Sequence, residues 1–147
     1  MDTDFETRLV EACRATLTVA EDSEHAARRF NNVRKLLAKY PPPPEPGVYL
    51  LVSATARPPY WFLVKGQRAV IGRGPEADLV LDHPQVSVRH CLIESDGLDW
   101  QVTDLESKNG VFVNGVKCDR AFLRRGDLLK VGKCGLLFIP ITADDEV

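Results

Sequence analysis

The segment RAVIGRGPEADLVLDHPQVSVRHCLIESD, residues 68–96, decides the fold class. It contains three short apolar runs, RAVIGR, DLVL and HCLIESD, which are separated by residues typical of turns. Runs of this length and composition predict β-strands. The intervals between them show no helical pattern, which excludes a parallel βαβ arrangement because such strands need a crossover helix. The segment therefore predicts antiparallel strands.

The same pattern continues on both sides of this segment. Further strands are predicted at VYLLVSA, YWFLVK, DWQVTDL, VFVNG, DLLKVG and GLLFIPI. Asn114-Gly115 predicts a two-residue hairpin, because both residue types tolerate positive φ. The fold class is therefore mainly β, an antiparallel β-sandwich of about ten to eleven strands over residues 47–141, preceded by an N-terminal helical arm.

Residues 1–40 form this N-terminal arm, since residues 3–39 lack Gly and Pro and have a helical composition. Apolar side chains fill nine of eleven positions spaced by alternating steps of four and three: Phe5, Leu9, Ala12, Thr16, Val19, Ser23, Ala26, Phe30, Val33, Leu37 and Tyr40. This stripe, the arm seam, predicts packing against another helix.

Two arrangements would bury the arm seam. One long helix pairs with a second copy of the chain, or the chain breaks near residues 21–23 and folds as a helical hairpin, with Asp22 or Ser23 as the N-cap. The polar Ser23 in the seam favours two helices or a strongly bent one. Self-association through residues 5–40 is expected in both cases.

A proline-rich segment, YPPPPEPG, separates the arm from the sandwich. Consecutive prolines favour the extended polyproline II conformation, so residues 41–46 predict a semi-rigid spacer. Residues 142–147 form a short acidic tail.

Composition excludes several classes of function. The 147 residues are 44% hydrophobic and 27% charged, which is typical of a globular core. A net charge of −2 argues against binding to nucleic acid or to an anionic membrane through bulk charge. The sequence has no bilayer-spanning apolar run and no signal-peptide pattern, and its four cysteines follow no metal-binding spacing. We therefore expect a cytoplasmic protein with reduced thiols, no metal and no cofactor.

Ser87 and His90 lie three residues apart, which raises the question of a nucleophile and its base. A serine hydrolase also needs an acid that orients the histidine and an oxyanion hole. No Gly-x-Ser-x-Gly motif surrounds Ser87, and the other two histidines, His25 and His83, lie in the arm and beside a proline. The sequence therefore predicts that the protein is not an enzyme.

Polar residues in three loops point to anion binding instead. Arg73 carries a planar fork of donors that can hold two phosphate oxygens, and the hydroxyl of Ser87 can donate to a third. Arg89 and Lys108 add positive charge on the neighbouring loops. A phosphothreonine brings about −1.5 to −2 charges and three strong acceptor oxygens, which match these groups.

The order of these motifs resembles that of the forkhead-associated domain over about two thirds of the chain. The motifs are Gly72-Arg73, Ser87-x-x-His90, Asp-Leu-x-Ser followed by Asn109-Gly110, Asn114-Gly115, and a closing Leu…Gly-Asp-x-Leu…Val-Gly. The resemblance implies a β-sandwich that binds phosphothreonine peptides in the loops at one end. The partner implied is a phosphothreonine-containing protein, the substrate of a Ser/Thr protein kinase.

The resemblance also implies roles for individual residues. The amide of Asn109 would hold the peptide main chain, and a pocket between the loops would take the threonine methyl group. His90 would support the loops without touching phosphate. Gly72 would allow a close approach and an unusual backbone angle, and the hairpin of Asn114 and Gly115 would brace the loop that contains Asn109 and Gly110.

Two positions depart from the pattern of this family. Val88 follows the binding serine where many members carry a polar or basic residue that also reaches the phosphate. Val111 replaces a threonine that often follows Asn-Gly. Loss of a donor at Val88 would weaken binding, with Arg89 or Lys108 compensating. The alternative function is a phosphate-independent scaffold or assembly subunit that uses the arm as its main interface.

Overall fold

The computed structural model describes residues 23–54 and 57–142, and within the helix it describes the side chains of residue 27 and of residues from 31 onward. The described elements are one helix and eleven strands: α1 Ser23–Lys39, β1 Gly47–Ala54, β2 Arg57–Val64, β3 Arg68–Gly72, β4 Leu79–Val80, β5 Cys91–Ser95, β6 Trp100–Asp104, β7 Val111–Val113, β8 Val116–Cys118, β9 Arg120–Leu123, β10 Leu128–Val131 and β11 Cys134–Ile141. In the part of the chain that the structure describes, no helix has the length and apolar character needed to cross a bilayer.

The strands form a sandwich of two sheets, which confirms the predicted fold class. The larger sheet has the order β2-β1-β11-β10-β7-β8, and the smaller has the order β4-β3-β5-β6-β9. One described strand pair departs from the antiparallel prediction: β3 and β4 pair in parallel, with Ile71 opposite Leu79. The loop between these strands lets β4 return in the direction of β3 and lie along its outer edge.

The core lies between the two sheets. Alternate residues of β1 and β11 face inward, among them Leu50, Val52 and Phe138, all almost fully buried. The residues between them, such as Leu51 and Leu137, are buried too, although they point to the opposite face of the larger sheet. Burial on both faces explains why VYLLVSA and GLLFIPI are continuous apolar runs.

Helix α1 covers this outer face. Val33 and Leu37 are buried in a cluster with Leu51, Leu137 and Ile139, against which Tyr40 also packs. For Val33 and Leu37, the predicted packing of the arm seam against another helix is therefore wrong, because the apolar outer face of the larger sheet lies closer along the chain and covers them. The seam positions Phe5 to Val19 and the other half of the predicted hairpin lie outside the described residues.

The link between the helix and the sandwich folds the helix back onto β1. The hydroxyl of Tyr49 donates to the carbonyl of Glu45 over 3.0 Å, which attaches the proline-rich segment to the first strand. Residues 41–46 therefore do not hold α1 away from the sandwich.

Strand β9 was not predicted, and β2 begins three residues before the predicted run YWFLVK. The structure begins β2 at Arg57 and includes Pro58 and Pro59, which a strand tolerates because β2 is an edge strand of the larger sheet. Strand β9 is four residues long and contains one buried side chain, Leu123, so its apolar pattern is too short to recognise.

Candidate functional site

Three loops meet at one end of the sandwich, which we call the loop end. They are residues 73–78 after β3, residues 81–90 before β5, which we call the middle loop, and residues 105–110 before β7. Ile71 pairs with Cys91, and Cys91 pairs with Asp104, so the end of β3, the start of β5 and the end of β6 lie side by side. Antiparallel pairing thereby brings together the residues that the sequence analysis selected from three separate segments.

Arg73 is bound to the middle loop at two points. Its backbone N–H donates to the carbonyl of Ser87 over 2.9 Å, and its Nε donates to the carbonyl of Val86 over 2.9 Å. The second bond orients the guanidinium group. In the described part of the chain its two Nη groups make no hydrogen bond or ion pair, and the side chain is exposed, so these donors remain available to a ligand.

Ser87 connects the middle loop to the loop before β7. Its Oγ accepts a hydrogen bond from the backbone N–H of Lys108 over 3.0 Å. A hydroxyl has one donor hydrogen and two acceptor lone pairs, so this bond leaves the hydrogen of Ser87 free to donate. The ammonium group of Lys108 is exposed, and no ion pair to it exists among the described residues.

Asn109 makes a third connection to the same loop. Its Nδ2 donates to the carbonyl of Gln85 over 2.7 Å. Gly132, in the turn before β11, supports Gln85 from behind: a Cβ on Gly132 would lie 3.0 Å from the Gln85 carbonyl. Arg73, Lys108 and Asn109 therefore donate to consecutive residues of one segment, Gln85 to Ser87.

His90 is completely buried and joins the two loops from below. Its Nδ1 accepts the backbone N–H of Ser87 over 3.0 Å, and its Nε2 lies 2.8 Å from the carbonyl of Gly110. Because Nδ1 accepts, Nε2 carries the proton and donates to Gly110. Both ring nitrogens are thus occupied by backbone groups, and neither is available to activate the hydroxyl of Ser87.

Gly72 lies where the chain of β3 meets the middle loop. A Cβ at this position would lie 2.2 Å from the carbonyl oxygen of Val88, which is closer than any side chain permits. Gly72 is not among the glycines with positive φ, so the unusual backbone angle that the sequence analysis expected is absent. The position requires glycine because of space alone.

The hairpin of Asn114 and Gly115 forms as predicted, with φ values of 51° and 86°. The support that this hairpin would give to the loop of Asn109 stays a prediction. The amide of Asn114 donates to Oδ1 of Asp127 over 3.0 Å and accepts from the backbone N–H of Leu128 over 3.0 Å. It thus braces the turn before β10, whereas the loop of Asn109 is braced by Ser107, whose Oγ accepts the N–H of Gly110 over 2.9 Å.

Several residues were missed or have a different position than the motifs suggested, and one of them, Asp127, lies at the end of β10 opposite to the loop end. Asp127 is fully buried and caps the turn at Arg124, and only the Gly-Asp dipeptide in the sequence hinted at it. Lys117 lies across Gly110, where a Cβ would meet its Cε at 2.6 Å. Val111 is buried in β7 and presents no surface to a ligand.

Arg89 and Val88 lie on the outer side of the middle loop. Together with residues after β3 they line a groove of about 470 Å³. Val88 is exposed, and so is Arg89, which has no ion pair among the described residues. The structure therefore places Arg89 beside the groove, and among the described residues no hydrogen bond joins its side chain to Arg73 or Ser87.

The thiol of Cys91, next to the loop end, has a raised pKa. Burial raises the pKa of Cys91 to about 12, and the nearby negative charge of Asp104 adds to the shift, so the thiol stays protonated at neutral pH. The three described cysteines are all free, and Cys13 lies outside the described residues. No group of three or more His, Cys, Asp or Glu side chains in the described ranges is placed to hold a metal ion.

Comparison with known proteins identifies this geometry. The FHA domain family matches residues 69–132, a range that contains all three loops. The oxoglutarate dehydrogenase inhibitor of Corynebacterium jeikeium is 32% identical over 96 residues, which are 65% of this chain and 67% of that protein. The chain belongs to the forkhead-associated (FHA) family.

Other FHA proteins agree with this assignment. The glycogen accumulation regulator GarA of Mycolicibacterium smegmatis is 36% identical over 85 residues, and the match covers 58% of this chain and 54% of GarA. The chain thus spans about half the length of GarA. An FHA domain solved in an analysis of phosphothreonine-dependent FHA domain interactions superimposes with a TM-score of 0.59 and 27% identity, over 65% of this chain and 97% of that one.

Proposed function

We propose that this FHA protein binds phosphothreonine-containing segments of other proteins at its loop end and does so in Ser/Thr kinase signalling. One observation carries the proposal. Arg73, Lys108 and Asn109 converge on the segment from Gln85 to Ser87, and this arrangement leaves the Nη donors of Arg73 and the hydroxyl hydrogen of Ser87 unused.

The unused donors suit a phosphate group. The fork of Arg73 can hold two phosphate oxygens, and Ser87 can donate to the third. Charge-assisted hydrogen bonds contribute roughly 1.5–3 kcal/mol each, so two or three of them support affinity in the micromolar range. Arg89 and Lys108 add exposed positive charge close to these donors, although the whole chain has a net charge of −2.

A binding role fits the arrangement better than catalysis. Both nitrogens of His90 are held by backbone groups, so Ser87 has no base. The relatives are named as a regulator and as an inhibitor, which are roles of binding proteins. Free buried thiols such as Cys91 and Cys134 are typical of reducing compartments, which supports a cytoplasmic location.

Calorimetric titration of the full chain tests the proposal. A peptide carrying phosphothreonine, chosen from a degenerate library, is compared with its unphosphorylated form. We expect binding only to the phosphorylated peptide, with a loss of at least 30-fold for Arg73→Ala. Arg68→Ala is the matched control, because Arg68 is an exposed arginine at the opposite end of the same strand. Equal binding of both peptides, or equal effects of the two substitutions, would contradict the proposal.

The alternative, a phosphate-independent scaffold that uses the arm, has less support. Val33 and Leu37, two of the apolar positions of the arm seam, are covered by the chain's own sheet and offer no surface to a partner. Self-association through residues 5–40 therefore remains a prediction that depends on the residues before α1. Sedimentation velocity of the full chain over a concentration series measures it directly.

A further inference from the structure

The larger sheet ends at β2, and among the described strands β2 pairs with β1 alone. An edge strand presents a row of backbone N–H and C=O groups to which a strand of another chain can add. Pro58 and Pro59 lack an N–H and protect the start of β2. Residues 60–64, which we call the β2 edge, have no such protection. The β2 edge is longer than the other edge strands described, β4, β8 and β9.

The facing edge of the smaller sheet is closed by its own chain. Strand β4 is two residues long and pairs with the end of β3. Next to it, the carboxylate of Asp78 accepts the backbone N–H of Val70 over 2.8 Å, and the backbone N–H of Asp78 donates to the carbonyl of Val70 over 2.8 Å. A side chain thus completes the outer edge of β3 where β4 does not reach. On this side of the sandwich, the β2 edge is the part of the described strands that remains open.

Two pockets lie beside the β2 edge, in the cleft between the two sheets. One has a volume of about 220 Å³ and is lined in part by Tyr60, and the other has a volume of about 210 Å³ and is lined in part by Phe62. Both side chains pack against the core and lie on the same face of β2, two residues apart. An added strand would continue the pleat of β2 and direct alternate side chains, about 7 Å apart, to these pockets.

Positive charges stand at both ends of the β2 edge. The guanidinium carbon of Arg57 lies 3.9 Å from the centroid of the aromatic ring in the first pocket. Lys65 and Arg68 line the second pocket. These three side chains are exposed, and no ion pair joins them to another described residue. The carboxylates that line the pockets, Asp78 and Asp82, lie beside β4 on the opposite wall of the cleft.

The same charges disfavour a second copy of the chain as the added strand. Antiparallel pairing of two β2 edges about Phe62 would bring Arg57 of one copy close to Lys65 and Arg68 of the other. Like charges at facing positions of paired strands are destabilising. A strand with acidic residues at its ends would instead meet a cation at each end, so the charges favour a partner of this composition.

We propose that the β2 edge binds an extended segment of another protein by strand addition. This segment carries apolar side chains at alternate positions, which enter the two pockets, and acidic residues at its ends, which lie beside Arg57 and Lys65. Main-chain hydrogen bonds supply affinity, and the pockets and end charges supply selectivity. None of the residues proposed to bind phosphate lines either pocket, so this is a second binding surface that needs no phosphorylation.

A peptide probe on the full chain tests charge selectivity. The fluorescein-labelled peptide Glu-Val-Thr-Val-Thr-Val-Glu is compared by fluorescence anisotropy with the same peptide carrying lysine at both ends. We expect the acidic probe to bind about 10-fold more tightly, because two attractive ion pairs replace two repulsive ones.

Backbone methylation of the probe tests strand addition itself. Successive amides of a strand point to opposite edges, so the amides of the valines face one side and those of the threonines the other. N-methylation of one set should weaken binding at least about 10-fold, and methylation of the other set by less than about 3-fold. Adhesion of apolar side chains alone would not distinguish the two sets.

Charge reversal assigns the binding to the β2 edge. The double variant Arg57→Glu/Lys65→Glu should lose about 10-fold in affinity for the acidic probe and gain affinity for the lysine-ended probe. Arg120→Glu is the matched control, because Arg120 is an exposed arginine on another edge strand, β9. It should change neither affinity by more than about 2-fold. Thermal unfolding followed by circular dichroism checks that both variants fold.

Each result decides the inference. Binding of the acidic probe that one methylated set removes, and that the double variant but not Arg120→Glu weakens, establishes strand addition at the β2 edge. Failure of the acidic probe to bind, equal effects of the two methylated sets, or equal effects of the variants overturns it. A dimer in sedimentation velocity that the double variant dissociates would assign the edge to a second copy and also overturn the inference.

Discussion

Nε2 of His90 lies 2.8 Å from the carbonyl oxygen of Gly110, in a part of the protein where the imidazole has no contact with solvent. This bond joins the start of β5 to the end of the loop before β7. The other ring nitrogen holds the backbone of Ser87. One side chain thus sets the distance between two of the three loops that form the candidate phosphate site.

His90→Ala should therefore affect both stability and binding. It leaves the N–H of Ser87 and the carbonyl of Gly110 without partners and opens a cavity, so we expect a loss of about 2–4 kcal/mol in the free energy of unfolding, measured by urea denaturation. Amide hydrogen exchange at Ser87 should accelerate. His90→Asn retains an acceptor near the position of Nδ1 and should recover part of the loss; identical behaviour of the two variants would argue against the acceptor role.

Ser87 and Ser107 allow a comparison of a proposed ligand donor with a structural hydroxyl. Each Oγ accepts one backbone N–H of the same loop, at 3.0 Å and 2.9 Å. Each change to alanine should cost about 1 kcal/mol of stability. Ser87→Ala should also weaken phosphothreonine peptide binding by about 10- to 100-fold, whereas Ser107→Ala should weaken it by less than about 3-fold. Equal losses of affinity, measured by titration calorimetry, would mean that loop order alone determines binding.

Gly72→Ala should be poorly tolerated. The new Cβ would lie 2.2 Å from the carbonyl oxygen of Val88, and the backbone of the middle loop must move to relieve this overlap. We expect a loss of about 3 kcal/mol together with weaker peptide binding. Gly135→Ala is the control, because its nearest neighbours lie at 3.8 Å and 4.0 Å. Thermal unfolding measures the stability of both variants, and we expect Gly135→Ala to be neutral or stabilising by up to about 1 kcal/mol.

Leu36 and Leu37 test the position of α1. Leu37 is 6% exposed and packs on the larger sheet, whereas its neighbour Leu36 is 37% exposed. Leu37→Ala should reduce the free energy of unfolding by about 2–4 kcal/mol and Leu36→Ala by less than about 1 kcal/mol. Neither change should alter peptide affinity, because α1 lies on the outer face of the larger sheet. A large cost for Leu36→Ala would show that a second surface buries it and would favour self-association of the arm.

Local sequence patterns predicted much of the fold. Period-two alternation and turn residues located most of the strands, because a strand places successive side chains on opposite faces whatever surrounds it. The positive φ of Asn114 and Gly115 follows from their residue types in the same way. Arg73, Ser87 and Asn109 were selected for their chemistry and their order along the chain, and the structure brings them to one end of the sandwich.

The sequence by itself determined that this chain forms a β-sandwich and which residues are candidates for phosphate binding, since both follow from local period and residue type. The tertiary structure alone decided how these residues are held. The bonds of His90, of Asn109 to Gln85 and of Asn114 to Asp127 join segments up to 24 residues apart, and their partners are mostly backbone groups that no sequence pattern marks. The packing of α1 on the larger sheet was decided in the same way, because an apolar stripe on a helix determines that the helix must be covered but does not determine by what.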